Sequence, residues 1–120
     1  MKCPCNTSIN YKVCCAKVHK NISKALTPEM LMRSRFSAFV LGNGSYLMKS
    51  WNTNTRPINE EADIVAWSKS VKWSHLEIIH ADEEVVEFIA HYAENGIKQT
   101  IHEKSLFKKE NGHWTYLKAL

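Results

Sequence analysis

Cysteine is absent from residues 16–120: all four cysteines of this 120-residue chain lie in the opening stretch MKCPCNTSINYKVCC. A chain of this length buries enough apolar surface to fold as one domain without disulfide bonds. Clustered thiols in a reducing compartment bind metal more often than they form disulfides. The cysteine distribution therefore points to a metal site at the N-terminus.

Long apolar runs are also missing. No stretch of eighteen apolar residues occurs, so no transmembrane helix is expected. The stretch MKCPCNTSINYK is polar and has no apolar core of a secretory signal, and there are no internal repeats or low-complexity segments. These absences predict a cytoplasmic protein that consists of one domain with a small appendage.

Acidic residues are scarce in the first half of the chain. Residues 1–59 contain nine Lys and Arg against one acid, Glu29, whereas residues 60–120 contain seven basic and eleven acidic residues. The halves therefore carry net charges of +8 and −4. A basic half attracts nucleic acid, acidic protein or anionic lipid, although a solvated basic face is the more common explanation. Charge alone leaves the class of partner open.

The cysteines form two close pairs, Cys3 with Cys5 and Cys14 with Cys15, separated by eight residues. Zn²⁺ takes four thiolate or imidazole ligands at tetrahedral corners, with Zn–S distances of about 2.3 Å. Four protein ligands close the coordination sphere, which favours a structural over a catalytic role. His19, four residues after Cys15, is an alternative ligand, although such a histidine is more often exposed. The pattern predicts one structural Zn²⁺.

The stretch CPCNTSINYKVCC resembles the SEC-C zinc motif, named for the C-terminus of the SecA translocation ATPase. That motif usually reads Cys-x-Cys, eight residues, then Cys-Cys or Cys-His, and Tyr11 stands where it commonly has an aromatic residue. This chain has Asn6-Thr7-Ser8 where the motif usually has Gly-Ser-Gly. The resemblance implies a zinc-binding motif over residues 1–22 and, by analogy with SecA, contact with a protein partner.

The clearest helix begins after Thr27. Thr27 is a good N-cap, Pro28 suits the first helical position, and Glu29 faces the positive end of the helix. Gly42 or Gly44 ends the helix. The other segments expected before the sheet are a polar connector at 16–26, a short helix at 45–51, a loop at 52–57 and a further helical segment at 60–71.

From Trp73 onward the apolar residues follow a period of two, which predicts strands at 73–81, 84–93, 97–109 and 113–119. Asn95-Gly96 and Asn111-Gly112 are two-residue hairpin turns, so the last three strands form an antiparallel meander. The register that these turns set puts Glu103 and Ser105 on the apolar face, and His91 and His102 on the solvated face. Helices followed by such a meander predict an α+β domain.

An arginine interrupts the apolar side of the main helix. Arg35 lies between Leu31 and Phe39 on that side, and Glu103 lies on the apolar face of the sheet. Burying either charge alone costs several kcal/mol, so we predict a buried Arg35–Glu103 ion pair that leaves donors for Ser105 or a ligand anion. The pair is either a structural salt bridge or a polar anchor at a pocket floor. With this pairing, Arg35→Met should destabilise the fold by roughly 3–5 kcal/mol.

The stretches LMRSRFSAFVLGN, YLMKSW, VEFIAHY and IHEKSLFKKENGHWTYL resemble the YchJ-like family of uncharacterised bacterial proteins. The resemblance implies a SEC-C motif followed, at residues 23–120, by a nuclear-transport-factor-2-like (NTF2-like, cystatin-like) domain. In that fold a curved antiparallel sheet wraps around N-terminal helices and leaves a cone-shaped pocket. The candidate pocket residues are Arg35, Trp51, Tyr92, Glu103, Ser105, Trp114 and Tyr116.

Three functions are compatible with a zinc motif followed by such a domain. A zinc-containing module that binds a protein or a small ligand is favoured. An enzyme of the isomerase or dehydratase type needs a general base in the cone, where Glu103 is the one inward carboxylate, so no catalytic residue is assigned. Nucleic-acid binding ranks third, because Tyr11 is the single aromatic residue of the zinc motif. A homodimer formed through the sheet is also compatible with the pattern.

Overall fold

One four-stranded antiparallel sheet with helices packed against one face forms the architecture, as predicted for an α+β domain. The computed structural model describes residues 1–120. The strands lie in the order β1-β2-β3-β4. The elements are α1 (Cys15–Lys20), α2 (Pro28–Leu41), α3 (Gly44–Lys49), α4 (Glu61–Ser70), β1 (Lys72–Ala81), β2 (Val85–Glu94), β3 (Ile97–Glu110) and β4 (His113–Ala119). None of the helices combines the length and the hydrophobicity needed to cross a membrane.

Helix α2 begins and ends where the sequence predicts. The Thr27 side chain accepts a hydrogen bond from the Met30 amide at 3.1 Å, and Pro28 occupies the first turn. Gly42 ends the helix in the left-handed conformation, with φ of 70°. Glycine adopts this conformation without the steric penalty of a Cβ atom. The caps therefore define both ends of α2.

The predicted strand register is confirmed. In the β2–β3 pair, Val86 lies opposite Ser105 and Phe88 opposite Glu103. Both residues of the Asn95-Gly96 turn have positive φ, 52° and 78°, and those of the Asn111-Gly112 turn have 53° and 81°. This is the backbone that a two-residue hairpin requires, and asparagine and glycine tolerate it best. The turns therefore place Glu103 and Ser105 on the helix-facing side.

The expected polar connector at 16–26 is wrong. Residues 15–20 form α1 and residues 22–24 form one 3₁₀ turn. Val18, Ile22 and Ala25 are 7%, 5% and 2% exposed and belong to the main core. Their spacing of four and three residues places them on one side of a helical segment, and the lysines between them remain outside. The core thus includes residues on both sides of the predicted domain boundary at 22/23. The boundary itself remains a prediction.

The free edge of β4 is covered by the segment that follows α3. The Asn52 amide donates to the Tyr116 carbonyl at 2.8 Å, and the Tyr116 amide donates to the Ser50 carbonyl at 2.8 Å. Trp51 therefore pairs in parallel with Tyr116. This pairing brings Trp51 and Tyr116 together beside α2, with ring centroids 5.5 Å apart.

Candidate metal centre and internal cavity

The four cysteine sulfurs meet at the N-terminus. The Sγ atoms of Cys3, Cys5, Cys14 and Cys15 all lie within 4.8 Å of one another, and those of Cys5 and Cys14 are 3.6 Å apart. A tetrahedral ion with Zn–S bonds of about 2.3 Å separates its sulfurs by about 3.8 Å. Four soft sulfur donors suit zinc and other thiolate-binding metals. The cluster is therefore compatible with one tetrahedral metal ion.

The loop between the cysteine pairs adopts the glycine-like turn despite having no glycine. Asn6 and Ser8 take left-handed conformations, with φ of 69° and 65°. Between them, the Thr7 hydroxyl lies 3.2 Å from Cys5 Sγ and 3.3 Å from Cys14 Sγ. Asn6-Thr7-Ser8 thus supplies the geometry for which the SEC-C motif usually has Gly-Ser-Gly.

The positive φ of Ser8 strains its backbone, and a glycine at this position should relieve that strain. Ser8→Gly should raise the free energy of unfolding by about 0.5–1 kcal/mol, because serine gains no side-chain bond there that offsets its positive φ. Chemical denaturation of the metal-loaded protein measures the change. Lys12→Gly is the control: Lys12 is exposed and has a negative φ, so glycine should destabilise it instead. If Ser8→Gly instead lowers the free energy of unfolding, the hypothesis that Ser8 is strained is wrong.

Three contacts dock the cysteine loop onto the domain. The Leu76 amide of β1 donates to Asn6 Oδ1 at 2.8 Å. Arg33 of α2 donates from Nη1 to the Cys5 carbonyl at 2.6 Å. Cys3 Sγ lies 3.4 Å from the Ser37 hydroxyl on the same helix. The candidate metal site is therefore built against the sheet edge and α2.

His19 does not belong to the sulfur cluster. Its Nε2 donates to the Ser34 carbonyl at 2.7 Å, so Nδ1 of the neutral ring accepts from the Tyr11 hydroxyl at 2.8 Å. Burial lowers the pKa of His19, partly offset by its bond to Ser34. Both ring nitrogens are occupied, so His19 links the loop to α2 and leaves metal binding to the cysteines.

Within the cluster, the pKa values of Cys5 and Cys15 are shifted in opposite directions. Hydrogen bonding from Cys15, with a smaller contribution from Thr7, lowers the pKa of the Cys5 thiol to about 4 despite its burial. The same interaction with Cys5, together with burial, raises the pKa of Cys15 far above its usual range. A metal ion must displace the remaining thiol protons, so metal affinity should fall as pH decreases.

A second feature is an internal cavity between α2 and the inner face of the sheet. It has a volume of about 200 Å³, is partly open to solvent, and is lined by thirteen residues, ten of them hydrophobic. The aromatic members of the wall are Phe36, Phe39, Trp51, Trp67, Trp73, Phe88 and Tyr116. The three polar members, Arg35, Glu103 and Ser105, come from α2 and β3.

Five of the seven predicted pocket residues line this cavity: Arg35, Trp51, Glu103, Ser105 and Tyr116. Tyr92 and Trp114 do not. Tyr92 packs against Trp67 with ring centroids 5.7 Å apart, and Trp114 lies 5.4 Å beneath Lys109 Nζ. Both sit near strand ends, whereas the cavity lies nearer the middle of the sheet. Sequence reasoning missed Trp67, which lies on α4 and lines the cavity.

Arg35 is a buried cation whose direct contacts are neutral groups. It is 4% exposed, and its Nη1 donates to the Leu47 carbonyl at 3.0 Å and to the Ser50 hydroxyl at 2.7 Å. The guanidinium carbon lies 5.1 Å from the centre of the Trp51 ring and 4.8 Å from that of Tyr116. Burial lowers the pKa of Arg35 to about 10, so the side chain remains charged near neutral pH.

The predicted Arg35–Glu103 ion pair is wrong. No ion pair joins the two side chains. Glu103 instead accepts hydrogen bonds from the Tyr116 hydroxyl, at 3.1 Å, and from the Ser105 hydroxyl. Tyr116 contacts both residues, because its ring faces the guanidinium while its hydroxyl reaches the carboxylate. The aromatic ring occupies the position expected for the carboxylate.

The sheet's outer face carries the histidines. His91 Nε2 lies 3.2 Å from a Glu77 carboxylate oxygen, and His102 Nε2 lies 2.8 Å from one of Glu87. The cavity wall contains no histidine, and Glu103 is its one carboxylate. The cavity therefore has few groups suited to general acid–base chemistry.

Comparison with known families agrees with this architecture. Residues 27–119 match the family model described as YchJ, middle NTF2-like domain. The chain belongs to this family. This YchJ-like protein is 38% identical to a UPF0225 protein of Vibrio parahaemolyticus, over 96% of the chain and 72% of the relative. It is 36% identical to a UPF0225 protein of Streptomyces coelicolor, over 95% of the chain and 90% of the relative.

Two solved structures resemble the YchJ-like chain over almost its whole length. A solution structure of a SEC-C motif containing protein from Rhodopseudomonas palustris has a TM-score of 0.87 and 28% identity, covering 100% of this chain and 98% of that one. A crystal structure of a SEC-C motif containing protein from Psychrobacter arcticus has a TM-score of 0.83 and 29% identity, covering 98% and 81%. The NTF2-like fold with an N-terminal cysteine cluster is confirmed.

Proposed function

We propose that this YchJ-like protein is a cytoplasmic small-ligand-binding protein whose N-terminal cysteines hold one structural Zn²⁺. The observation that carries the binding role is the cavity, which combines an aromatic wall with a buried arginine that has no ion-pair partner. Cavities with mostly apolar walls and a few converging polar groups are typical ligand sites. Zinc is supported by the four sulfur donors, which leave no open coordination position for catalysis.

The zinc assignment predicts a stoichiometry. Protein purified under reducing conditions with zinc supplied should contain about one Zn²⁺ per chain, with Zn–S distances of about 2.3 Å. Elemental analysis gives the stoichiometry and X-ray absorption gives the distances. Chelation should disorder the cysteine loop, because metal binding supplies its folding energy, while the sheet keeps its secondary structure. Protein with no bound metal under these conditions would refute the zinc assignment.

The ligand-binding role is tested on protein taken directly from cells. Native mass spectrometry should show a bound small molecule that departs when the cavity is filled by Ala90→Phe, since Ala90 lines the wall between larger side chains. The matched control is Ala93→Phe on the same strand, outside the cavity lining. Wild-type protein that carries no small molecule and takes up none of the probes described below would end this proposal.

A protein partner is the second candidate, favoured by a groove beside the cysteine loop. The groove exposes Val13 and Leu26, which are 58% and 73% accessible, and Lys17 and Lys24 also line it. This composition suits an acidic polypeptide segment with apolar side chains. Leu26→Asp should abolish such binding without changing cavity binding. Isothermal titration with a purified partner separates the two roles.

A further inference from the structure

The Arg35 guanidinium has unused donors that face the cavity. Its two hydrogen bonds, to Leu47 and Ser50, both leave from Nη1. The Nε and Nη2 atoms have no protein acceptor, although Arg35 lines the cavity wall. A guanidinium edge with two free N–H groups matches the two oxygens of a carboxylate.

The other charged group of the cavity is already satisfied. Glu103 Oε2 accepts from Tyr116 and Ser105, and the residue is half-buried, whereas Arg35 is 4% exposed. The charge that is almost fully buried and makes no direct ion pair is therefore the positive one. Desolvated cations without a partner are costly, and a ligand anion would remove that cost.

A second donor on the same wall also lacks an acceptor. Trp51 Nε1 is the one buried side-chain nitrogen or oxygen atom without a hydrogen-bond partner. Its ring packs over the Arg35 guanidinium, so both groups belong to the same corner of the cavity. Buried donors without acceptors are rare and call for a specific explanation. A nearby anion would account for the orphaned donor and the unpaired cation together.

We propose that the cavity binds a small monocarboxylate with an apolar, preferably aromatic, body. The carboxylate pairs with Arg35 at Nε and Nη2, and the body lies among Phe36, Trp73 and Phe88. The cavity of about 200 Å³ is smaller than those that hold drug-sized molecules, so the ligand is of the size of phenylacetate. This assignment rests on the proposed small-ligand-binding function and names its ligand class.

Three probes that share a benzyl group and differ in charge test the ligand class by isothermal titration calorimetry. Phenylacetate should bind at least about tenfold more tightly than phenylacetamide, because charge-assisted bonds to a desolvated guanidinium are strong. Benzylamine, a cation, should bind most weakly. Equal binding of phenylacetate and phenylacetamide, or a preference for benzylamine, overturns the carboxylate assignment and leaves small-ligand binding intact. No binding of any probe overturns the assignment, and an empty native mass spectrum then ends the proposed function as well.

Two substitutions locate the binding group. Arg35→Met should abolish the preference for phenylacetate over phenylacetamide. Glu103→Gln keeps an acceptor for Tyr116 and Ser105 but removes the negative charge, so it should tighten phenylacetate binding by about two- to tenfold and weaken benzylamine further. If Arg35→Met fails to fold, the Glu103→Gln result decides alone: unchanged or weaker phenylacetate binding overturns the proposal.

Discussion

Replacing Cys15 with serine should abolish stoichiometric metal binding and lower the free energy of unfolding by about 3–4 kcal/mol. That is the stabilisation from a ligand present at roughly a hundred to a thousand times its dissociation constant. Cys15 is 3% exposed and begins α1, the helix that carries Val18 into the core. The loss of one ligand therefore affects both the cysteine loop and the first turn of the helical layer.

Thr7→Val is the matched control for Cys15→Ser. The Thr7 hydroxyl touches the sulfurs of Cys5 and Cys14, yet threonine is no metal ligand, so this variant should keep its metal. Elemental analysis measures the metal content of each variant, and denaturant unfolding with and without zinc measures its free energy of unfolding. Full metal content in Cys15→Ser, or wild-type stability that does not respond to chelator, would contradict a structural metal.

Arg35→Met should stabilise the ligand-free protein, by about 1–3 kcal/mol. Burial lowers the pKa of Arg35 to about 10 and outweighs the opposing influence of Glu103, so the charge is expected to be unfavourable in the ligand-free fold. Replacing a buried ion pair with apolar residues of similar volume is often neutral or stabilising by about 1–4 kcal/mol, and a buried cation without a direct ion pair has less to offset its desolvation. The Ser50 hydroxyl already donates to the Leu47 carbonyl at 3.2 Å, so the substitution strands no donor. This reverses the destabilisation expected from an Arg35–Glu103 pair.

Denaturant unfolding measures this effect without added ligand, with Lys49→Met as the control. Lys49 is exposed on α3 and should change stability by less than about 0.5 kcal/mol. A loss of more than about 2 kcal/mol in Arg35→Met would mean that Glu103 neutralises the arginine after all. Combining Arg35→Met with Glu103→Gln would then recover the loss, whereas independent effects should simply add.

Local chemistry explains why so much of this fold is predictable. Thr27, Pro28 and Gly42 specify the ends of α2 through backbone preferences that act within a few residues. The Asn-Gly turns set the strand register by the same kind of constraint. The four clustered cysteines are equally local, since all lie within fifteen residues of one another.

Long-range packing explains two of the misses, the connector at 16–26 and the Arg35–Glu103 pair. Val18 and Ile22 stand singly among lysines and polar residues, and Ala25 precedes the exposed Leu26, so their shared face becomes evident only once α2 and the sheet bury it. The sequence pattern correctly predicts that Arg35 on α2 and Glu103 on β3 both lie on the sides that face the core. Strand alternation indicates the face of a side chain, but it does not show which neighbour it meets there. The contact depends on where the segment after α3 carries the chain beside β4.

The hydrogen bond from the Leu76 amide to Asn6 also bears on self-association of the protein. Strand β1 is an outer strand of the sheet, and unpaired amides at such an edge are templates for pairing with another molecule. The β4 edge is closed by the backbone of residues 50–52, whereas the β1 edge is guarded at Leu76 by a side chain of the cysteine loop. If metal holds that loop in place, metal depletion uncovers the edge. The first sign of metal loss would then be intermolecular strand pairing and aggregation rather than unfolding.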